Sequence, residues 1–193
     1  MGMVRWVLLV AVICAALSGC ATQPESGAIR LGASADPQMQ MTAFLYRGAL
    51  RAQGIEVDEP VRVAGERAQL DAMSADEVDL FPSTVPKLLA VVLPADQAAS
   101  AASTGEPTEF GDAAYTQLNR ALPAGASIGD PVSGEQLVPV YRTVRFGRSD
   151  IKALNKVAGE LTMADLAELT GKWRAGADAT ELVRDWLSQH DLA

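Results

Sequence analysis

The sequence predicts an α/β domain, because strand and helix patterns alternate along it. Between residues 29 and 93, short apolar runs are followed three times by segments in which apolar residues recur at helical spacing. Strands that alternate with helices are typical of βαβ units, in which right-handed crossovers connect parallel strands. We therefore expect a parallel sheet covered by helices, with further helices at the carboxyl end.

The first of these pairs places a strand at residues 29–32 and a helix at residues 38–53. Asp36-Pro37 provides an N-cap followed by a proline in the first helical turn. Gly54 is expected to end the helix, because glycine readily adopts the left-handed backbone found just after a helix.

Two further pairs follow. Strands are predicted at residues 57–63 and 78–81, and helices at residues 66–75 and 85–93. Between the last strand and the last helix, Pro82-Ser83-Thr84 is expected to form a turn. In an open parallel sheet, such a turn lies at the carboxyl end of a strand, where ligands are usually bound.

The middle of the chain changes in composition. Residues 94–111 are rich in Ala, Ser, Gly and Pro, which predicts a surface linker. A helix is expected at residues 112–122, and short strands at residues 127–128 and 136–143. Pro139 inside the latter strand indicates an edge or bulge position, since proline cannot donate a ladder hydrogen bond.

The carboxyl end is predicted to be helical. One helix covers residues 149–161. The capping pattern Thr162-x-x-Asp165 begins a second helix, which Gly171 is expected to end. Asp178 caps the last helix.

The charge of the chain is acidic, with a formal net charge of −8 at pH 7. This argues against nucleic acid as a partner, which would favour clustered Lys and Arg. It also argues against electrostatic attachment to anionic lipid.

Catalytic motifs are lacking in the sequence. His190 is the only histidine, and no nucleophile elbow, phosphate-binding loop or dinucleotide fingerprint occurs. We therefore expect neither an enzyme nor a metal or cofactor site. The acidic residues between Asp71 and Asp79 could form a carboxylate pair for acid–base chemistry, but a solvated helix end is the favoured interpretation.

The amino terminus has the pattern of a secretory signal. Arg5 precedes an apolar run over residues 6–17, and Leu17-Ser18-Gly19-Cys20 follows and resembles the bacterial lipobox. That resemblance implies removal of residues 1–19 and acylation of Cys20, including a palmitate-type chain, at the extracytoplasmic face of the membrane. Residues 20–28 would then form a tether. The alternatives are an uncleaved anchor helix or a buried helix, although the run is short for a membrane span.

The predicted domain, residues 29–193, resembles a known family of binding proteins. The stretch IRLGASADPQMQMTAFLYRGALRAQGIEV is similar to the opening I-x-I-G-S-K-x-F-T-E-Q and L-Y-x-x-A-L-x-x-x-G of glycine-betaine/choline/proline-betaine substrate-binding proteins of ABC importers. AQLDAMSADEVDLFPS resembles their A-F-x-A-L-x-x-G-E-I-D-x-Y-P-E. QLVPVYRT resembles their return strand N-V-V-P-V-V-R, and ELVRDWLSQHDL their closing A-x-x-W-L-x-x-x-G-L.

The resemblance implies a periplasmic-binding-protein-like (type II) fold reduced to a single lobe. Lobe one would cover residues 29–122, and the return strand and carboxyl-terminal helices residues 136–192. Family members have two lobes with the ligand between them. Here the return strand follows residues 126–130 almost at once, so the second lobe is missing.

The residues of the family's pocket are also altered. Its P-E-Y-T-G corresponds to residues 82–86, which removes a carboxylate and an aromatic ring. The resemblance and the strand ends together indicate candidate ligand-binding residues, which are Ser34, Asp36, Ser83, Thr84 and Gln136.

Aromatic side chains are expected in the core, not in a cage for a quaternary ammonium group. Six of them fit core positions on apolar faces: Phe44, Tyr46, Phe81, Tyr115, Trp173 and Trp186.

The expected function is therefore osmoprotection. The chain would be a lipid-anchored substrate-binding component that delivers a quaternary-ammonium osmolyte to an ABC permease for transmembrane transport, with an eroded ligand site. A single lobe cannot close over a ligand, so we expect betaine binding to be weaker than millimolar. The alternative is a non-transporting, membrane-tethered interaction module that has lost ligand binding, for which an exposed apolar patch would be evidence.

Overall fold

The computed structural model of this chain describes residues 27–95, 115–130 and 137–193. The predicted signal peptide at residues 1–19, Cys20 with its predicted lipid, and most of the tether lie outside the described residues. So do most of the predicted linker at residues 94–111 and the candidate ligand residue Gln136.

The described residues contain five short strands. They are β1 (Gly32–Ala33), β2 (Val61–Arg62), β3 (Leu80–Thr84), β4 (Ala126–Ile128) and β5 (Leu137–Arg142). β1 pairs with β2 in parallel, and a parallel bridge between Leu31 and Leu80 joins β1 to β3. β5 lies between β3 and β4 and is antiparallel to both. The fold is thus mixed α/β, and the predicted parallel pairing is confirmed only for the first three strands.

The prediction of an edge or bulge position for Pro139 is wrong, because β5 is the central strand of its sheet. Pro139 lies opposite Pro82, and its carbonyl accepts a hydrogen bond from Gly129 N at 2.9 Å on the β4 side. The Pro82–Pro139 pair is therefore of the non-hydrogen-bonded type, so neither ring removes a β3–β5 ladder bond. On the β4 side, the ring nitrogen of Pro139 lies past Ile128, the last residue of β4, so no hydrogen bond of that strand pair is lost.

β3 is also longer than predicted. It continues through Pro82, Ser83 and Thr84, which were expected to form a turn, and α3 begins directly at Val85. Pairing with β5 keeps this stretch extended, with Ser83 opposite Val138 and Thr84 opposite Leu137.

Helices cover both faces of the sheet. They are α1 (Pro37–Ala52), α2 (Gly65–Ser74), α3 (Val85–Val92), α4 (residues 115–121), α5 (Arg148–Glu160), α6 (Met163–Arg174) and α7 (Ala179–Gln189). None of these described helices is long and apolar enough to cross a membrane.

The predicted helix caps are present. The Asp36 carboxylate accepts a hydrogen bond from Gln38 N at 2.9 Å, and Thr162 and Asp165 form a reciprocal capping box. Each cap satisfies backbone N–H groups that have no partner inside the helix. The predicted end of α6 at Gly171 is wrong, because the helix continues to Arg174. Gly176, with φ of 101°, adopts the left-handed backbone that follows the helix.

Two apolar clusters lie on opposite faces of the sheet. One joins α1 and α5–α7 to the sheet through residues such as Leu31, Leu45 and Leu154. The other joins α2, α3 and α4 through residues such as Phe81 and Leu118. Because strand side chains alternate between faces, neighbouring residues of β3 reach different clusters. The sheet edge where these helices begin therefore lies between two packed layers.

Candidate functional site

The candidate site is the edge of the sheet where parallel strands end and helices begin. β1 ends at Ala33 and leads through residues 34–36 into α1. β2 precedes the start of α2 at Gly65, and β3 leads directly into α3. Since β1, β2 and β3 run in the same direction, the amino termini of these helices meet at one edge. Their free N–H groups and dipoles favour anionic groups there.

Asp36 connects two elements at this edge. Its Oδ1 caps α1, while its Oδ2 lies 3.3 Å from the ammonium group of Lys87 in the first turn of α3. Ser34 is nearly buried, and its hydroxyl accepts a long hydrogen bond from Asp36 N at 3.4 Å. Two of the sequence-predicted site residues are therefore in contact, and both belong to the β1–α1 connection.

Ser83 and Thr84 lie in a different environment from the one expected for a ligand-binding turn. Ser83 has no exposed surface, and its hydroxyl donates to Glu66 Oε1 in the first turn of α2 at 3.3 Å. Thr84 is half-buried and occupies the N-cap position of α3 without making a side-chain capping bond. Of the pair, Thr84 alone has surface available to a ligand.

The structure adds two charged residues to this edge that the sequence did not predict. Glu66 lies at this edge because it accepts a hydrogen bond from Ser83, and Lys87 lies there because it pairs with Asp36. Both lie in the first turn of a helix that follows a strand, and this position was the only signal in the sequence. We refer to the set Ser34, Asp36, Glu66, Thr84 and Lys87 as the strand-end cluster.

One buried amide adjoins the strand-end cluster. Gln69 in α2 is fully buried, and neither amide atom of its side chain has a hydrogen-bond partner among the described residues. Its Oε1 would be 3.6 Å from a Cβ built on Gly32 of β1. A buried polar group without any partner would cost about 1–3 kcal/mol, so this amide is a polar group available next to the cluster.

Asp79 forms a second charged cluster, away from the strand ends. Its side chain is 0 % exposed and accepts hydrogen bonds from Arg30 Nε at 2.9 Å and from Arg142 Nη1 at 3.1 Å. Arg145 Nε lies 3.4 Å from the same carboxylate. The expectation of a solvated run of acids is therefore wrong for Asp79, although Asp76 is exposed as expected.

The electrostatics of Asp79 follow from these contacts. Burial by itself would raise the pKa of Asp79, because it penalises the charged form. The hydrogen bonds from Arg30 and the positive charges of Arg145 and Arg30 outweigh this penalty, so the pKa of Asp79 lies below its usual value. The carboxylate is thus charged at neutral pH and holds the arginines in place.

Arg145 also fixes the beginning of the domain. Its Nη2 donates to the carbonyl oxygens of Gly27 at 3.0 Å and of Ala28 at 2.9 Å. These residues are the last two of the predicted tether. The Asp79 cluster therefore anchors the first two described residues, Gly27 and Ala28, to the rest of the fold.

The predicted core aromatic side chains either lie in the core or pack, partly buried, against it. Tyr46 and Phe81 are fully buried and Trp186 is nearly so, and Phe44 meets Trp173 edge-to-face at 5.5 Å. Burial raises the pKa of Tyr46 well above its usual value, so the phenol remains neutral. None of these five residues belongs to the strand-end cluster.

The strand-end cluster can bind or position a polar molecule by hydrogen bonds and charge. In the part of the chain that the structure describes, no group of His, Cys, Asp or Glu side chains is arranged to hold a metal ion. No protein-family model matches this chain, and no curated protein is significantly similar to it. Its function must therefore be inferred from its residues and their geometry.

Proposed function

We propose that this chain is the substrate-binding component of an ABC importer for glycine-betaine- or choline-like osmolytes, reduced to one lobe and with a degenerate ligand site. The observation that carries the proposal is the strand-end cluster. It brings the carboxylates of Asp36 and Glu66 to the sheet edge where α/β folds bind ligands. The sequence resemblance identifies the same edge through residues 32–36 and 82–86.

The arrangement of the strands supports a type II periplasmic-binding-protein-like lobe. β1, β2 and β3 are parallel where they pair, and β5 returns antiparallel between β3 and β4. Only residues 129–136 connect β4 to β5, where family members would insert a second lobe. The chain thus provides one side of a cleft.

The charges of the cluster favour a cationic or zwitterionic ligand. Lys87 pairs with Asp36, while Glu66 contacts the neutral hydroxyl of Ser83, so one carboxylate is left without a cationic partner among the described residues. A quaternary ammonium group could approach that carboxylate. Without aromatic faces around it, each worth about 0.5–2 kcal/mol, binding would be weak.

Membrane attachment is part of the proposal. Acylation of Cys20 would place the domain at the extracytoplasmic surface, close to a permease. Residues 21–26 separate Cys20 from Gly27, which Arg145 holds against the domain. A tether of this length would keep the domain within roughly 25 Å of the lipid, at about 3.5 Å per extended residue.

The test is a two-dimensional NMR titration of the chain, residues 20–193, with glycine betaine. We expect fast-exchange shifts confined to residues 34–36, 66 and 84–87. Glu66→Gln should weaken the response, because it removes the negative charge and keeps an acceptor for Ser83. Glu168→Gln, at an exposed position of α6, is the matched control and should not change the response. Shifts spread over the surface, or none at molar-range betaine, would refute ligand binding at this edge.

The alternative function is a membrane-tethered interaction module that has lost ligand binding. The complete burial of Ser83 favours it, because the family's ligand loop has become part of a strand. An interaction module would be expected to have an exposed apolar patch at the strand ends, and none is seen among the described residues. The large apolar side chains that are exposed lie on separate elements, namely Val61, Val144 and Met163. Two results together would support the interaction module. The NMR spectrum should not change when betaine is added, and the chain should capture a partner other than a permease from membranes.

A further inference from the structure

A groove lies between α1 and α7, away from the strand-end cluster. It encloses about 440 Å³, which is within the range of small-molecule sites. Phe44 and Ala52 of α1 and Val183 and Leu187 of α7 provide its apolar lining.

Gly48 sets the depth of this groove. A Cβ at position 48 would be 2.6 Å from Val183 Cγ1 and 2.7 Å from Leu187 Cδ1. The absence of a side chain allows α7 to lie directly against α1. Small and branched apolar residues of both helices line the groove beside this contact, and such a lining suits an alkyl chain.

The charged side chains that line the groove are those of Arg47, Arg51, Arg184 and Glu59. Arg47 pairs with Glu59 at 2.5 Å, and Arg184 pairs with its neighbour Asp185 at 2.9 Å. Arg51 also lines the groove and lies exposed in the last turn of α1, and its guanidinium group makes no ion pair or hydrogen bond with any described residue. Of the three arginines that line the groove, Arg51 is therefore the one without an acidic partner among the described residues.

The groove is separate from the strand-end cluster. Asp36 caps the beginning of α1, whereas Arg51 lies at its end, roughly 22 Å away at 1.5 Å per helical residue. A ligand in the groove would not touch the sheet edge.

We propose that this groove binds one single-chain anionic amphiphile of the fatty-acid type, with its carboxylate at Arg51 and its alkyl chain along Phe44, Val183 and Leu187. Two features select this class: the apolar lining accepts a tail, and the unpaired guanidinium accepts a planar carboxylate in bidentate fashion. The net charge of −8 opposes approach to an anionic bilayer, so the occupant is a monomeric amphiphile and not a phospholipid in a membrane.

The experiment uses decanoate as the probe, below its micelle-forming concentration, with NMR shifts of the chain comprising residues 20–193. We expect one site, with shifts confined to the second half of α1 and to α7. Decyltrimethylammonium and decanol, which share the tail and lack the anion, should bind at least about tenfold more weakly. Acetate, which lacks the tail, should cause no shifts there.

Two matched substitutions test whether decanoate binds to the guanidinium group of Arg51 or responds to any positive charge on the surface. Arg51→Gln should weaken decanoate binding about fivefold or more, whereas Arg174→Gln should change it less than twofold. Arg174 is likewise an exposed arginine in the last turn of a helix, but it does not line the groove. Thr180→Trp, on the exposed lip of the groove, should block binding without unfolding the chain.

Several results would overturn the proposal. These are equal binding of decanoate and decyltrimethylammonium, an equal effect of Arg51→Gln and Arg174→Gln, or decanoate shifts outside α1 and α7. Binding to phosphatidylglycerol vesicles without binding of monomeric decanoate would also overturn it, because the surface would then recognise a bilayer.

Discussion

A single buried carboxylate, Asp79, organises much of the charge in this chain. It lies where β3 begins and receives hydrogen bonds from Arg30, 49 residues earlier, and from Arg142, 63 residues later. Such a group is stable only while its partners compensate the loss of hydration. Its neighbour Asp76 faces solvent and pairs with Arg142 at 2.6 Å, so the two acids contribute very differently to stability.

Replacing Asp79 should therefore be far more costly than replacing Asp76. Asp79→Asn leaves guanidinium groups without their buried counter-charge, and we expect a loss of about 3–5 kcal/mol in the free energy of unfolding. Asp76→Asn should cost less than about 1 kcal/mol, because that pair is exposed and asparagine tolerates its left-handed backbone, with φ of 58°. Urea denaturation of both variants measures the difference, and similar losses would contradict the burial of Asp79.

The same residue predicts a pH dependence. Since the pKa of Asp79 is lowered in the folded chain, its stabilising contribution is present above its unfolded pKa, which is about 3.9, and is lost as the pH falls through the lower folded value. Arg30→Gln removes hydrogen bonds that lower this pKa.

Acid unfolding of Arg30→Gln, followed by circular dichroism, should thus occur at higher pH than in the wild type. Arg174→Gln, an exposed arginine far from Asp79, is the control and should leave the midpoint in place. If both variants unfolded at the wild-type pH, Arg30 would not be what keeps Asp79 charged.

At the scale of elements, the sequence predicted helices better than strands. Local signals determine a helix, and the caps at Asp36, Thr162 and Asp178 are the ones expected. β3 was predicted too short because its extension depends on pairing with β5, more than fifty residues away, which no local pattern contains. The end of α6 was misplaced at Gly171 because a glycine inside a helix and one after it look alike in sequence.

Two helical glycines give a matched test of packing. Gly48 in α1 has no room for a methyl group against α7, whereas a Cβ on Gly171 in α6 would have no neighbour within 4 Å. Alanine improves helix propensity at both sites by about 1 kcal/mol, but overpacking at position 48 costs about 1–3 kcal/mol.

Chemical denaturation should accordingly show Gly171→Ala to be more stable than the wild type by about 0.5–1 kcal/mol and Gly48→Ala to be less stable by about 1 kcal/mol. Equal stabilisation by both would mean that α1 and α7 do not pack this closely.

At the scale of the whole molecule, the described residues form a mixed α/β fold, which we propose is one lobe of a two-lobed binding protein. The sequence located part of the strand-end cluster, because Ser34 and Asp36 follow the first predicted strand. It missed Glu66 and Lys87, since their approach depends on how α2 and α3 pack against the sheet. It also did not predict that Ser83 would be buried. Long-range packing, which periodicity does not encode, accounts for these differences.

The central claim is that this edge is an inherited osmolyte site that a single lobe can no longer close. Isothermal titration of the chain comprising residues 20–193 with glycine betaine tests it most directly. The account predicts a dissociation constant weaker than millimolar, because half of the ligand surface remains in water and no aromatic cage surrounds the ammonium group. Micromolar binding with one site per chain would contradict it.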